Sequence, residues 1–374
     1  MKRRDFLKLG IVGAASAAAG LSGLAGISRG AESGPVYRTL GRTGLKITVV
    51  SFGAMLTQDH EVMQAAFDLG INYVDTARRY MNGRNEEIVG RALKGRRDKV
   101  FLATKAAWTT KENIVADVEK SLSTLKTDYI DVIQLHNLDS KNKGPAFAPE
   151  TREVLKELRK QGKVRFFGVT THTNQADVLN TVASDPEKFY DTVAVGYNFK
   201  SVPEIKEAVA RTAKTGVGII AMKTQAGGYK TDALGPLSSH QASLKWVLQD
   251  QNVTAAIPGM KNLDMLKEDI AVMGMKFTAA DARLLERYSR AVENVYCHLC
   301  ANCESTCPEN VAISTVNRSL MYLESYGSPE LARSTYEEIR QSASACQGCG
   351  ECKAQCVHGL DISAKMKKGL SYFA

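Results

Sequence analysis

The chain has 374 residues, 44% of them hydrophobic and 24% charged. That is ordinary globular usage, which excludes wholesale disorder and a fibrous repeat; the length suits two or three domains, or one large α/β barrel with additions. The formal net charge is +9, and a third of it sits in residues 1–34, where Lys2, Arg3, Arg4, Lys8 and Arg29 face only Asp5 and Glu32.

Met1–Lys8 reads M-K-R-R-D-F-L-K, and Leu9–Ser28 is uncharged and rich in Gly, Ala and Ser. This opening resembles a twin-arginine export signal, through Arg3-Arg4, Phe6-Leu7-Lys8 and the weakly apolar run; an ordinary secretory signal also starts basic. The resemblance implies handling by the twin-arginine translocase and a periplasmic location, or one on the outer face of the cytoplasmic membrane. Gly23 and Ala25 have the small-residue spacing of a cleavage site. Left uncleaved, the run would approach the roughly 20 residues that span a bilayer and would act as an anchor.

From residue 36 onward, short apolar runs alternate with amphipathic segments. Strands are expected at Ile47–Phe52, Asn72–Val74, Val100–Ala103, Ile130–Gln134, Val164–Val169, Thr192–Val195, Val217–Met222 and Thr254–Ile257. Helices are expected near 59–69, 86–94, 111–124, 150–160, 174–183, 202–214, 239–249 and 261–272. Eight such units at roughly 30-residue spacing predict a (β/α)8 TIM barrel, an α/β fold of about 250 residues. A doubly wound sheet is the alternative, but Phe52-Gly53-Ala54-Met55 is no phosphate-binding Gly-rich fingerprint. Barrel chemistry sits at the C-terminal strand ends, and there Asp75, Lys105 and His136 follow three consecutive strands.

Several stretches in order resemble the aldo-keto reductase family. They are Tyr37-Arg38-Thr39-Leu40-Gly41-Arg42-Thr43-Gly44-Leu45, Gly70-Ile71-Asn72-Tyr73-Val74-Asp75-Thr76-Ala77 with Tyr80, Asn85-Glu86-Glu87-Ile88-Val89-Gly90, Ala103-Thr104-Lys105, Gln134-Leu135-His136 and Ile257-Pro258-Gly259. The resemblance covers about residues 36–272. It implies a barrel that interconverts a small carbonyl and an alcohol, with the family tetrad falling on Asp75, Tyr80, Lys105 and His136. Reduction of a carbonyl needs a proton on oxygen, and a free tyrosine with a pKa near 10 is a weak acid for that. A cationic Lys105 beside Tyr80 is expected to lower its pKa, Asp75 to hold Lys105, and His136 to orient the carbonyl.

The resemblance also implies NADP(H) or NAD(H), held by Thr170 and Thr171 after the fifth strand, by Tyr197, and by Lys261 after the eighth. The sequence departs from the family pattern at Ala194, Met265 and Asp269. Arg78 and Arg79, between Asp75 and Tyr80, are read either as a solvated loop or as attracting an anionic substrate such as a keto acid. Trp108 follows Lys105 and is read as pocket wall or barrel packing.

The last hundred residues carry Cys297-x2-Cys300-x2-Cys303-x3-Cys307-Pro308 and Cys346-x2-Cys349-x2-Cys352-x3-Cys356. This doubled spacing is the bacterial ferredoxin pattern, in which the fourth cysteine of each run serves the other cluster. It assigns Cys297, Cys300, Cys303 and Cys356 to one [4Fe–4S] cluster and Cys346, Cys349, Cys352 and Cys307 to the second. Disulfides or zinc are the competing uses of cysteines in an exported chain. Helices near 311–325 and 329–342 between the runs resemble a helical ferredoxin domain, and 278–294 forms a helical bridge capped by Thr278. Two clusters with their thiolates carry roughly −2 each, which offsets most of the remaining positive charge, so no nucleic-acid partner is expected.

The organisation read from sequence is therefore 1–34 signal and linker, 35–276 barrel, and 277–374 bridge and small α-helical ferredoxin-like two-cluster domain. The expected function is an exported iron–sulfur oxidoreductase of aldo-keto reductase type, with a redox protein partner. The alternative is an electron-transfer or assembly subunit whose barrel is a scaffold that no longer binds NAD(P).

Overall fold

The computed structural model describes residues 34–107 and 110–374. Residues 1–33, which carry the export-signal reading, and Trp108 lie outside the described residues. Among the described residues, no helix is long and apolar enough to cross a membrane.

The predicted first strand is divided in two. Tyr37–Thr39 (β1) and Lys46–Thr48 (β2) form an antiparallel hairpin, while Phe52–Gly53 (β3) begins the main sheet. The Ile47–Phe52 run is apolar throughout, so its pattern hid the break; the hairpin turn rests on Gly41 and Gly44, with φ of 48° and 72°, values that favour glycine. A Cβ on Gly41 would stand 2.3 Å from the Gly218 nitrogen. The hairpin thus lies tight against the start of a later strand and sends Leu40 and Leu45 into an apolar cluster with Tyr73, Val132, Ala194 and Ile220.

The remaining strands are Tyr73–Asp75 (β4), Phe101–Ala106 (β5), Ile130–Leu138 (β6), Val164–Thr171 (β7), Thr192–Gly196 (β8), Gly218–Met222 (β9) and Ala255–Ala256 (β10). β3 to β10 make one eight-stranded parallel sheet in chain order. Parallel bridges Val50–Ala256 and Gly53–Gly259 join its outer strands, so the sheet closes on itself. Helices His60–Asp68, Arg84–Leu93, Lys111–Leu125, Pro149–Lys160, Gln175–Ser184, Pro203–Lys214, His240–Gln249 and Leu263–Ile270 follow the strands. Their apolar faces pack on the outside of the sheet in one large core, the arrangement that buries both faces of a parallel sheet.

Beyond the barrel, helix Ala279–Ala291 starts at a capping box between Thr278 and Asp281. Helices Ile313–Glu324, Pro329–Glu337, Arg340–Ser344 and Ile362–Phe373 follow. They share a separate small core built on Val316, Leu320, Tyr336, Leu360 and Phe373, which includes Cys303 and against which five further cysteines pack from its edge. Ile339 interrupts the helix expected over 329–342, leaving two shorter ones. This segment lies across the C-terminal ends of the strands. Asn174 donates to the Cys300 carbonyl at 3.1 Å, Lys141 meets Glu304 at 2.9 Å, and Arg318 donates to Asn137 at 2.9 Å.

Candidate active site

Asp75 ends β4, Lys105 lies near the end of β5 and His136 near the end of β6, so the parallel register brings them to one rim. Tyr80 opens the tight turn Tyr80–Gly83 that follows β4. The Lys105 ammonium is buried; it donates to an Asp75 carboxylate oxygen and, at 2.6 Å, to the Thr76 carbonyl. Gln134 donates to the other Asp75 oxygen at 2.7 Å. The Tyr80 and His136 rings meet edge to face with centroids 6.1 Å apart. The structure therefore brings the four predicted residues Asp75, Tyr80, Lys105 and His136 together at the mouth of the barrel.

The electrostatics differ from expectation in one respect. Lys105 sits over the Tyr80 ring, 4.9 Å from its centroid, and its ammonium is committed to Asp75. Burial, with the Asp75 charge second, raises the Tyr80 pKa above its usual value; the cation that opposes them is Arg318. Lys105 does not make the phenol acidic here, because its charge is offset by its carboxylate partner. Burial thus favours the protonated form of Tyr80. Burial, reinforced by Lys105, Arg79, Arg318 and Lys223, holds His136 well below 6.5, so it is a neutral imidazole.

The turn carrying Tyr80 is held from below. Glu86 is fully buried, accepts from Thr104 at 2.6 Å and Ser121 at 2.7 Å, and pairs with the Arg78 guanidinium. Asn85 donates to the Ala54 carbonyl at 2.8 Å and accepts from Thr76 at 2.6 Å. Gly83 has φ 93°, and a Cβ there would overlap Arg78, so glycine is required for the guanidinium to reach Glu86. Arg78 is thus a structural ion pair, and Arg79 is exposed and paired with Glu338 at 3.2 Å. Arg78 is therefore not free to steer an anionic substrate, whereas Arg79 lines the cavity at the barrel mouth beside Tyr80 and His136. Glu86→Ala would strand the Arg78 charge, and it is expected to cost about 3–5 kcal/mol, read as a lowered midpoint in chemical denaturation.

The nicotinamide candidates are scattered. Thr170 accepts from the Asn137 amide at 2.8 Å, and Thr171 donates to the Thr173 carbonyl at 3.0 Å. Tyr197 donates to Asp250 at 2.7 Å and packs on Trp246. These three line neither of the cavities at the barrel mouth. Lys261 lines a cleft of about 210 Å³ together with Gly53, Gly259, Met265, Ser325 and Tyr326. Its ammonium donates to the Tyr326 carbonyl at 2.6 Å, and Ser325 donates to the Gly227 carbonyl. Asp269 is fully buried and bonded to His240, and it does not line the cleft.

None of the eight cysteines is in a disulfide. Burial chiefly, then Cys303, Cys300 and Cys356, pushes the Cys297 thiol up to about 12. Burial, then Glu304, Cys300 and Cys356, does the same for Cys303. Burial followed by Cys349, Cys352 and Cys307 raises Cys346. The last cysteine of each run therefore stands in the electrostatic neighbourhood of the other run. Among the described residues, no group of three or more His, Cys, Asp or Glu side chains is arranged to hold a metal ion. A lone tetrahedral ion such as zinc draws its sulfurs to about 2.3 Å from itself; a cubane of eight atoms keeps its four thiolates farther apart. The donor set, four thiols twice over, matches the thiolate ligation of iron–sulfur clusters.

Residues that sequence reasoning passed over also line the mouth: His172 after β7, Lys223 after β9, and Arg318 and Tyr322 from helix Ile313–Glu324. Lys223 donates to the Tyr322 hydroxyl at 2.8 Å. A lysine at a strand C-terminus was the signal for Lys105, and the same signal was present at Lys223. Nothing in the local pattern around Arg318 marks it.

Comparison with known proteins finds similarity in the barrel region. Residues 54–235 match the aldo/keto reductase family model. An uncharacterised oxidoreductase of Bacillus subtilis is 28% identical over 68% of this chain and 96% of its own length. A methylglyoxal reductase of Escherichia coli is 28% identical over 60% of this chain and 82% of its own. The structure of an aldo-keto reductase from Bacillus halodurans in its holo form superposes with a TM-score of 0.58 at 26% identity, covering 68% of this chain and 96% of that one.

Proposed function

We propose, for a chain whose residues 54–235 match the aldo/keto reductase family model, that it is an iron–sulfur oxidoreductase interconverting a small carbonyl and an alcohol. The observation that carries this is the meeting of Tyr80, Lys105, Asp75 and His136 at one barrel rim. Tyr80, kept protonated by burial, donates the proton to the carbonyl oxygen. Neutral His136 offers an N–H to the same oxygen, and Lys105 with Asp75 holds the ring of Tyr80 in place.

Two [4Fe–4S] clusters would be held by Cys297, Cys300, Cys303 and Cys356, and by Cys346, Cys349, Cys352 and Cys307. When bound they would supply electrons one at a time, and each carbonyl reduced consumes two electrons and two protons, one passed to oxygen by Tyr80 and one reaching carbon from water. Ligation needs deprotonated sulfur, so the raised thiol pKa values mean that loading releases protons. Cys349 is exposed, which suits the second group as the contact for a redox protein partner. The leading Arg3-Arg4 segment supports export by the twin-arginine route, with clusters inserted before passage. The domain reading is a signal and linker to residue 34, a barrel to 276 and a two-cluster segment from 277.

The cleft at Lys261 fits a nicotinamide dinucleotide poorly. Its volume is about 210 Å³, below the roughly 300 Å³ at which small-ligand pockets begin, and Ser325 and Tyr326 reach across it. This favours a second reading in which the barrel no longer binds NAD(P) and serves as the scaffold of an electron-transfer or assembly subunit.

The test is turnover by anaerobically purified, iron-loaded protein given small aldehydes and ketones with reduced methyl viologen or NADPH. Alcohol formation with either donor is expected; none from any carbonyl with both donors leaves only the scaffold reading. Because Tyr80 stays protonated past its usual pKa of about 10, the reductive rate should show no alkaline fall between about pH 7 and 9. A fall centred there would contradict the assigned proton donor.

A further inference from the structure

The mouth of the barrel holds a buried guanidinium that lacks a full partner. A cavity of about 330 Å³ is lined by Tyr80, His136 and His172 from the barrel and by Arg318, Tyr322 and Glu338 from the C-terminal segment. Arg318 is only 4% exposed. Its Nη1 donates to the Asn137 side chain at 2.9 Å. Its Nη2 stands 3.9 Å from the Glu338 carboxylate, outside hydrogen-bond range, and that carboxylate is already engaged by Arg79 at 3.2 Å. Its Nε has no partner among the described residues, and neither does Nδ1 of His172, itself 7% exposed, in the same lining.

A buried charge without a hydrogen-bonded counter-ion is costly, and removing one partner of a buried pair typically destabilises strongly. The other charges at the rim do not relieve Arg318. Asp75 is consumed by Lys105 and Gln134. Lys223 adds a further cation, and its pKa is driven down by burial first and then by Arg318 and Lys105. His136 and His172 are neutral for the same reasons. The unpartnered edge of Arg318, Nε with Nη2, is the edge on which a guanidinium grips a carboxylate with two parallel hydrogen bonds.

We propose that Arg318 receives the carboxylate of the substrate, so that the chamber takes a short oxo acid and its hydroxy-acid counterpart. This rests on the carbonyl–alcohol reading of Tyr80, and it makes the cluster-bearing segment the source of specificity in a barrel that supplies the proton. The carboxylate sits on Arg318 with His172 beside it, and the carbonyl is directed to Tyr80 and His136.

The test uses the iron-loaded full chain with 2-oxobutanoate and its uncharged methyl ester. Calorimetric titration is expected to show the acid binding at least tenfold more tightly than the ester, with Arg318→Gln removing that preference and Arg318→Lys, which keeps the charge but loses the fork, retaining part of it. In turnover, the acid-to-ester ratio of kcat/KM should fall tenfold or more in Arg318→Gln. Equal binding of acid and ester by the unaltered protein overturns the proposal without needing any variant to fold. Arg318-dependent binding of the acid with no turnover of any carbonyl would keep the anion site and remove the carbonyl chemistry. Turnover with no preference for the acid would do the reverse.

Discussion

Tyr80→Phe is expected to lower carbonyl–alcohol turnover by roughly 10²–10⁴-fold, the usual contribution of a positioned general acid, while leaving binding of substrate nearly unchanged. The reason is specific to this site. Phe keeps the ring that packs edge to face on His136 and lies under the Lys105 ammonium. Only the hydroxyl is lost, and no hydrogen bond of that hydroxyl supports the fold among those described. The measurement is kcat and KM under anaerobic conditions, with the denaturation midpoint as a control. A fall in kcat at constant KM identifies the proton donor. Turnover equal to that of the unaltered protein would show that another group, or water, protonates the oxygen. Lys105 is a poorer first target, since its removal leaves Asp75 buried without its cation and confuses folding with chemistry.

Cys356→Ala is expected to remove one of two clusters, taking iron from about eight to about four atoms per chain. This position discriminates between pairings better than any within a run. Cys356 lies 49 residues beyond Cys307 in sequence, yet it acts on Cys297, Cys300 and Cys303. Cys307→Ala should likewise remove the cluster associated with Cys346, and the double variant should hold almost no iron. Iron analysis with electron paramagnetic resonance of the reduced protein separates the cases: two interacting signals become one isolated signal in each single variant. Unchanged iron content, or zinc in place of iron, would dismiss the cluster assignment. Since the cysteines pack against the small core of Val316, Leu320, Tyr336 and Phe373, loss of a cluster should also lower the unfolding temperature of that segment before that of the barrel.

The periodicity of apolar residues is a local property, and the elements it encodes were legible for that reason. Seven of the barrel strands lie where the runs predicted them. The eighth run, Ile47–Phe52, was misread because an apolar stretch that turns a corner looks the same as one that does not. Strand-end position placed Asp75, Lys105 and His136, and cysteine spacing picked out two runs of four thiols, because both are short-range patterns. Thr170, Thr171 and Tyr197 come from family positions, and in the structure they hydrogen-bond to Asn137, Thr173 and Asp250.

Sequence alone thus determined the parallel barrel, the four polar groups on its rim and the doubled thiol set. Tertiary structure alone decided what faces those groups. Arg318 reaches Asn137 across 181 residues, Tyr326 meets Lys261 across 65, and burial rather than a neighbouring ammonium sets the state of Tyr80. Such outcomes depend on which surfaces exclude water when distant helices dock, and a desolvation energy has no signature in the order of nearby residues.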